Sequence, residues 1–252
     1  MNRPIARAAR MLAAGAGLGA AAYAAYVATT WCRYGRVSAG VAEEERDPLL
    51  DRFMPLYEVA ERHHVRVAAP AAITFEAATG MHLEQSPLVR WIFKAREWVM
   101  RSHAAREADL RPFLARMREI GWGVLAEIPD REIVMGAVTQ PWMADVVFRP
   151  LPPNEFASFQ EPDYVKIVWT LRADPIAADR SIFRTETRVL STDPAARAKF
   201  RRYWSFASPG IILIRWASLG PLKDQAERRF RIALASSRQP EEETCAGVDQ
   251  RS

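Results

Sequence analysis

The spacing of apolar residues changes character several times along the chain, and each change marks a different element. From Met11 to Cys32 there are 22 consecutive positions without a charge, mostly Ala and Gly with Leu12, Leu18, Tyr23, Tyr26, Val27 and Trp31 among them. Such a run predicts a helix about 30 Å long at about 1.5 Å per residue, the thickness of a bilayer core. Residues 37–55 are small, acidic and punctuated by proline, the composition of a linker. A period of two then begins: Val59, Glu61, His63, Val65 and Val67 alternate with Arg62, His64 and Arg66, which predicts a first strand within Tyr57 to Ala68. Pro70 opens a helix through Ala78. A second helical segment is expected after Ser86-Pro87, where Leu88, Trp91, Ile92, Ala95, Trp98 and Val99 recur at helical spacing, and a further turn or two over Leu110 to Met117.

Beyond Gly121 the pattern turns to short β-rich runs: Val124 to Ile128, Glu132 to Val138 and Val146 to Phe148, separated by Pro129-Asp130 and Gln140-Pro141. Phe156 to Phe159 reads as a further short strand. Tyr164 to Leu171 and Ser181 to Leu190 are the clearest strands, joined through Asp174-Pro175 and a polar bend, so an antiparallel hairpin is expected. Asp193-Pro194 is a helix start, with Asp193 as N-cap and Pro194 in the first turn. Phe200, Tyr203, Trp204, Ala207, Ile211, Ile214 and Leu219 then follow at spacings that predict one long amphipathic helix, bent at Pro209-Gly210. The polar tail after it reads as disordered.

Charge refines this picture. Of the 35 basic residues, Arg3, Arg7, Arg10, Arg33 and Arg36 all precede the first acid, Glu43, so residues 37–252 balance 30 against 30. A nucleic-acid-binding domain needs a basic surface of its own, and none is implied. With 49% hydrophobic and 26% charged residues the composition is globular, which excludes collagen-like and disordered classes. Cys32 and Cys245 match no CxxC or Cys/His spacing, so neither a disulfide framework nor a zinc site is expected, and no metal or cofactor is called for. GxGxxG and P-loop patterns are missing as well.

The order strand, helices, antiparallel strands, long C-terminal helix is α+β with segregated elements. The run RHHVRVAAP (Arg62 to Pro70), the TETRV strand (Thr185 to Val189) and the helix DPAARAKFRRYW…PGIILIRW (Asp193 to Trp216) resemble the START-like, helix-grip superfamily, also labelled SRPBCC or polyketide cyclase/dehydrase-like. The resemblance covers about residues 56–233. It implies a curved antiparallel sheet wrapped around the C-terminal helix with an apolar cavity between them, in proteins that bind or transfer lipids, sterols or polyketides and in some cases catalyse cyclisation. The domain plan expected is an anchor or signal segment over 1–36, a linker over 37–55, the START-like domain over 56–233 and a disordered tail over 234–252.

On that plan Val165, Ile167, Trp169 and Leu171 of one strand face Phe200, Tyr203, Trp204, Ile211 and Ile214 of the helix. Any one of them is more often core than ligand wall, and Trp169, Tyr203, Trp204 and Ile211 are the candidates for ligand contact. Arg184, Glu186 and Arg188 share a strand face. Pointing inward, Glu186 and Arg188 form a charge pair within reach of His63, which orients a polar ligand head or supplies acid and base if the protein is an enzyme. Pointing outward, they form a solvated ladder while Phe183, Thr185, Thr187 and Val189 line the interior. The outward reading is favoured because buried charge is costly.

Absence of a dense catalytic motif favours binding of a hydrophobic small molecule, such as a lipid or isoprenoid, over catalysis. A cyclase/dehydrase-type enzyme and a partner-binding protein with a collapsed cavity are the alternatives. The apolar leader is read as a single membrane span in preference to a cleaved signal, for which Ala22-Tyr23-Ala24 offers a site, or an extension from an upstream start. Arginines on both of its flanks leave the side of the membrane open. From Asp193 to Arg238 ten basic residues face three acids, a surface suited to solvent or to anionic lipid headgroups.

Overall fold

The computed structural model describes residues 3–36, 46–81 and 112–246. The helical segment expected after Ser86-Pro87 lies outside the described residues. Helix α1 (Arg3–Arg33) is followed by the single turn α2 (Pro48–Asp51), strand β1 (Val59–Val67), α3 (Ala71–Thr79) and α4 (Phe113–Glu119). Then come β2 (Gly123–Ile128), β3 (Glu132–Thr139), β4 (Phe148–Arg149), the turn α5 (Pro153–Phe156), β5 (Val165–Ala177), β6 (Arg180–Ser191) and α6 (Pro194–Ala246).

The strands form one antiparallel sheet in the order β1-β6-β5-β3-β2, with β4 on β3. The last strand therefore lies between the first and the fifth, and α6 crosses the sheet face. This is the α+β order of segregated elements that the sequence pattern predicts, in the helix-grip arrangement that the family resemblance implies. Its register is set by alternation: Val59, Val65 and Val67 of β1 pair with Val189, Phe183 and Ser181 of β6, and Ile167 and Ala173 of β5 meet Val189 and Phe183 from the other side. A slip of one residue would carry this apolar set to the opposite face.

Two differences from the expected elements have local causes. Residues 153–156 form a helical turn, not the start of a strand, because Pro153 occupies the first helical position with its φ already set; Phe156 is fully buried beneath it. The β5–β6 hairpin continues past Asp174-Pro175, which pair with Ile182 and Ser181, so the reversal comes after Ala177. Asp174 stays in the strand because its carboxylate accepts from Arg172 and Arg184.

Asp193 caps α6 as its position predicts, Oδ1 accepting from the backbone N–H of Ala195 and Ala196 at 2.6 and 2.9 Å. The helix passes through Pro209-Gly210 without interruption and runs on to Ala246, so 234–246, read from polarity as a disordered tail, is helical.

Both faces of the sheet are covered, which accounts for burial of every residue of β3. On the inner face α3, α4 and α6 pack against Ile133, Met135, Trp169, Leu171 and Phe183. On the outer face Leu50, Phe53 and Met54 pack with Leu125, Val134, Phe156 and Val168. Residues 46–55, expected to be linker, thus belong to the folded domain. Segment 1–36 is not independent of it either. Tyr34 is buried beside Phe200 and donates to Glu58 Oε2 at 2.7 Å. Tyr23 donates to the Phe206 carbonyl at 2.8 Å, and Tyr26 and Ser208 share a hydrogen bond of 3.1 Å.

Candidate functional site

Strand pairing assigns each candidate to a face. Glu61 and His63 of β1 lie opposite Thr187 and Thr185 of β6, whereas Arg62 and His64 lie opposite Glu186 and Arg184. Since Phe183 and Val189 pack in the inner clusters, the first set faces α6 and the second faces away. Glu186 and Arg188 are therefore separated from His63 by the thickness of the sheet, and the inward arrangement that would join them is not what the chain adopts.

The outward arrangement is also not the solvated ladder expected. Glu186 and Arg188 are only 5% and 3% exposed, because residues 46–57 fold across them. Glu186 Oε1 accepts from Arg62 Nη2 and from Arg188 Nε, both at 2.7 Å. Arg188 also donates to Asp51 Oδ1 at 2.5 Å and to the Met54 carbonyl at 2.8 Å, and its guanidinium lies 4.6 Å from the Tyr57 ring centre. Next to this group, Asp174 Oδ2 receives Arg172 and Arg184 at 2.8 and 3.1 Å. Glu132, buried beside Asp47, has its pKa pushed up to about 8 by loss of water, then by the Asp47 charge, with Arg172 acting in the opposite sense. The cleft at this network, bordered by Asp47, Arg172 and Glu186, measures about 30 Å³, room for about one water. It is a clasp holding residues 46–57 to the sheet.

The inner face carries a different chemistry. The residues of α6 that meet the sheet are Phe200, Trp204, Ile211, Leu219, Leu222 and Ala226, with Arg215 at the same phase of the helix, four residues from Ile211 and four from Leu219. Trp204 and Phe200 stack with ring centres 5.9 Å apart, and Tyr203 lies 5.9 Å from Phe200. This cluster also holds Val59, Val165 and Val189, with Ile211 against it. Trp169 belongs to the other cluster, 5.5 Å from Phe113 and 5.7 Å from Trp122. Trp169 and the trio Tyr203, Trp204 and Ile211 thus share the helix-facing side of the sheet but pack in separate apolar groups.

Polar side chains lie on that same side. Arg215 Nη1 reaches Thr185 Oγ1 at 3.5 Å. His63 Nε2 and Thr187 Oγ1 are buried without a hydrogen-bond partner. Loss of water brings Arg215 down to about 10, with the Glu61 charge opposing the shift. Burial raises the Glu61 pKa against the pull of Arg215 and Arg62, and burial lowers that of His63, aided by the charges of Arg215 and His64. The group can therefore donate from a guanidinium and two hydroxyls, and can exchange a proton at a neutral imidazole or at Glu61. Among the described residues no cluster of three metal-ligating side chains occurs.

Glu61 and Arg215 were not among the candidates the sequence offered. Their signal was phase: Glu61 alternates with the valines of β1, and Arg215 falls on the apolar stripe of α6, although its charge groups it with the basic surface of that helix.

No family model and no curated protein matches the chain. Solved structures similar to it include a START superfamily protein from Mycobacterium smegmatis, 13% identical over 69% of this chain and 98% of that one, with a TM-score of 0.24. The Zhui aromatase/cyclase from a Streptomyces species is 14% identical over 69% and 97%, with a TM-score of 0.23. A hypothetical protein from Helicobacter pylori is 9% identical over 77% and 99%, with a TM-score of 0.32. These are likenesses of fold; the helix-grip assignment stands on the strand order and the position of α6 in this chain.

Proposed function

We propose that the protein binds a hydrophobic small molecule between the sheet and α6, with Trp169, Tyr203, Trp204 and Ile211 among the apolar contacts. The observation that carries this reading is the pair of unpartnered buried atoms, His63 Nε2 and Thr187 Oγ1, on a face where Glu61, Thr185 and Arg215 are set among aliphatic and aromatic side chains. A buried polar atom left unpaired costs about 1–3 kcal/mol. A closed core gains by replacing such groups with apolar ones, whereas a compartment that receives a ligand has a use for them. Native mass spectrometry of the full chain, with extraction of whatever co-purifies, tests the reading. A retained apolar molecule that is released on unfolding is the expected result. A ligand-free protein that also fails to bind N-phenyl-1-naphthylamine overturns it.

The protein also works at a membrane on this reading. Helix α1 contains a stretch, Met11–Arg33, long and apolar enough to cross a bilayer. It docks on α6 through Tyr23, which meets the Phe206 carbonyl, and Tyr26, which meets Ser208, and Phe206, Leu213 and Trp216 are exposed on α6. Flotation with phosphatidylcholine vesicles, with and without phosphatidylglycerol, checks the proposal. The full chain is expected to float, and a chain that stays at the bottom of the gradient in both cases refutes it.

A further inference from the structure

An apolar ligand alone leaves one feature of the inner face without a purpose. The face of α6 turned to the sheet runs Phe200, Trp204, Ile211, Arg215, Leu219, Leu222, one cation in a row that is apolar apart from Ser208, which is paired with Tyr26. Opposite it the sheet presents hydroxyls and an imidazole, not a carboxylate in contact. Arg215 makes one long hydrogen bond, to Thr185, and among the described residues no acid lies within ion-pairing distance of it. Glu61 acts on it only as a charge at longer range.

The guanidiniums on the outer face of the same sheet are paired with acids. Arg62, Arg172, Arg184 and Arg188 each meet a carboxylate oxygen at 2.7 to 3.1 Å. A guanidinium has five N–H donors in a planar fork that matches two oxygens side by side. Arg215 retains most of that fork unused, and Thr187, 8% exposed, holds an unpartnered hydroxyl on the same face.

We infer that the ligand is an acidic amphiphile, whose carboxylate or equivalent anionic oxygen group is received by Arg215 together with Thr185, Thr187 and His63, while its apolar body lies against the flanking aromatic walls. This rests on the ligand-binding reading above and names the class of molecule. Burial raises the Glu61 pKa against the pull of Arg215 and Arg62, so a proton taken up there on binding offsets part of the arriving negative charge. A neutral lipid of the same shape leaves the fork unfilled and binds more weakly.

The test uses two probes on the full chain that share an aromatic body and differ in charge: 1-anilinonaphthalene-8-sulfonate and the uncharged N-phenyl-1-naphthylamine. Arg215→Gln is expected to weaken the sulfonate by about tenfold, or about 1.4 kcal/mol, and the neutral probe by less than about twofold. Arg215→Lys, which keeps the charge but not the planar fork, should recover only part of the loss. Thr187→Val, a near-isosteric change, should weaken the sulfonate in the same direction. Should Arg215→Gln fail to fold, wild-type protein decides the matter: dodecanoate is expected to displace the neutral probe at lower concentration than dodecanol. Equal displacement by acid and alcohol, or an equal loss for both probes in the variants, overturns the acidic headgroup and leaves apolar binding in place. Failure of every probe to bind overturns the underlying reading instead.

Discussion

Replacing Glu186 by alanine is the sharpest test of the charge clasp on the outer face. The carboxylate is 6% exposed and holds two guanidiniums, Arg62 at 2.7 Å and Arg188 at 2.7 Å. Without it both cations remain, facing a cavity the size of the lost side chain. Removing one partner of a buried pair costs about 3–5 kcal/mol, most of it the uncompensated charge left behind. The lower end applies here. Arg188 retains Asp51 and the Met54 carbonyl, and Arg62 is 26% exposed, so water reaches it. A loss of about 3 kcal/mol at an m-value of about 2 kcal/mol per molar urea lowers the midpoint by about 1.5 M. Glu186→Gln retains an acceptor oxygen and should lose about half as much. Amide exchange at Leu50 and Met54 should quicken in the alanine variant, because their segment is held by the partners of Arg188. A loss within about 1 kcal/mol, the range of exposed ion pairs, would refute the reasoning.

Three further outcomes are expected. Glu132 binds its proton up to about pH 8 in the folded chain, against an ordinary carboxyl value of 4.5 unfolded. The folded state therefore holds more protons between those values, and this contribution to stability is present in full below about pH 4.5 and is lost as pH rises through about 8; Glu132→Gln should flatten that slope in urea titrations from pH 5 to 9, and an unchanged slope counts against the assignment. Gly121 has φ +104 and a Cβ there would sit 2.0 Å from the Phe148 carbonyl oxygen, so Gly121→Ala should cost about 3 kcal/mol or more and unfold at visibly lower urea, and a neutral result would mean the β4 contact is misplaced. Trp204→Ala removes a side chain 7% exposed and stacked on Phe200, with an expected loss of about 3–5 kcal/mol by the same assay; a change near zero would show that Trp204 is not packed in this cluster.

The architecture was legible because alternation and helical spacing are one-dimensional. Val59 to Val67 and Ser181 to Leu190 announce strands by period two, and Asp193-Pro194 announces a helix start by cap chemistry; the structure has β1, β6 and α6 at those places. The cover over the outer face was not legible, for the same reason. Alternation says that Glu186 and Arg188 share a face, and a wet face is the ordinary home for two charges. What buries them is a segment some 130 residues earlier, Leu50 to Met54, whose acidic and proline-marked neighbourhood resembles a linker. Only the fold brings Asp51 to within 2.5 Å of Arg188.

Arg215 shows the opposite failure. Its position was readable from phase, since it completes the spacing from Ile211 to Leu219, but its charge assigned it to the basic surface of α6. Charge and phase conflict at this one residue of the inward stripe, and phase prevails because the helix is already fixed by the apolar contacts on either side: Phe200 and Trp204 toward one end, Leu219, Leu222 and Ala226 toward the other. Rotating α6 to free Arg215 would expose all of them. Burying the four large ones at about 1.5–3 kcal/mol each outweighs the desolvation of one partly accessible guanidinium. The helix thus holds a cation against the sheet at a cost that its packing covers, and the same rigidity that forces Arg215 inward keeps its unused donors aimed at one place, which is the condition for recognising an anionic headgroup at little cost in ordering.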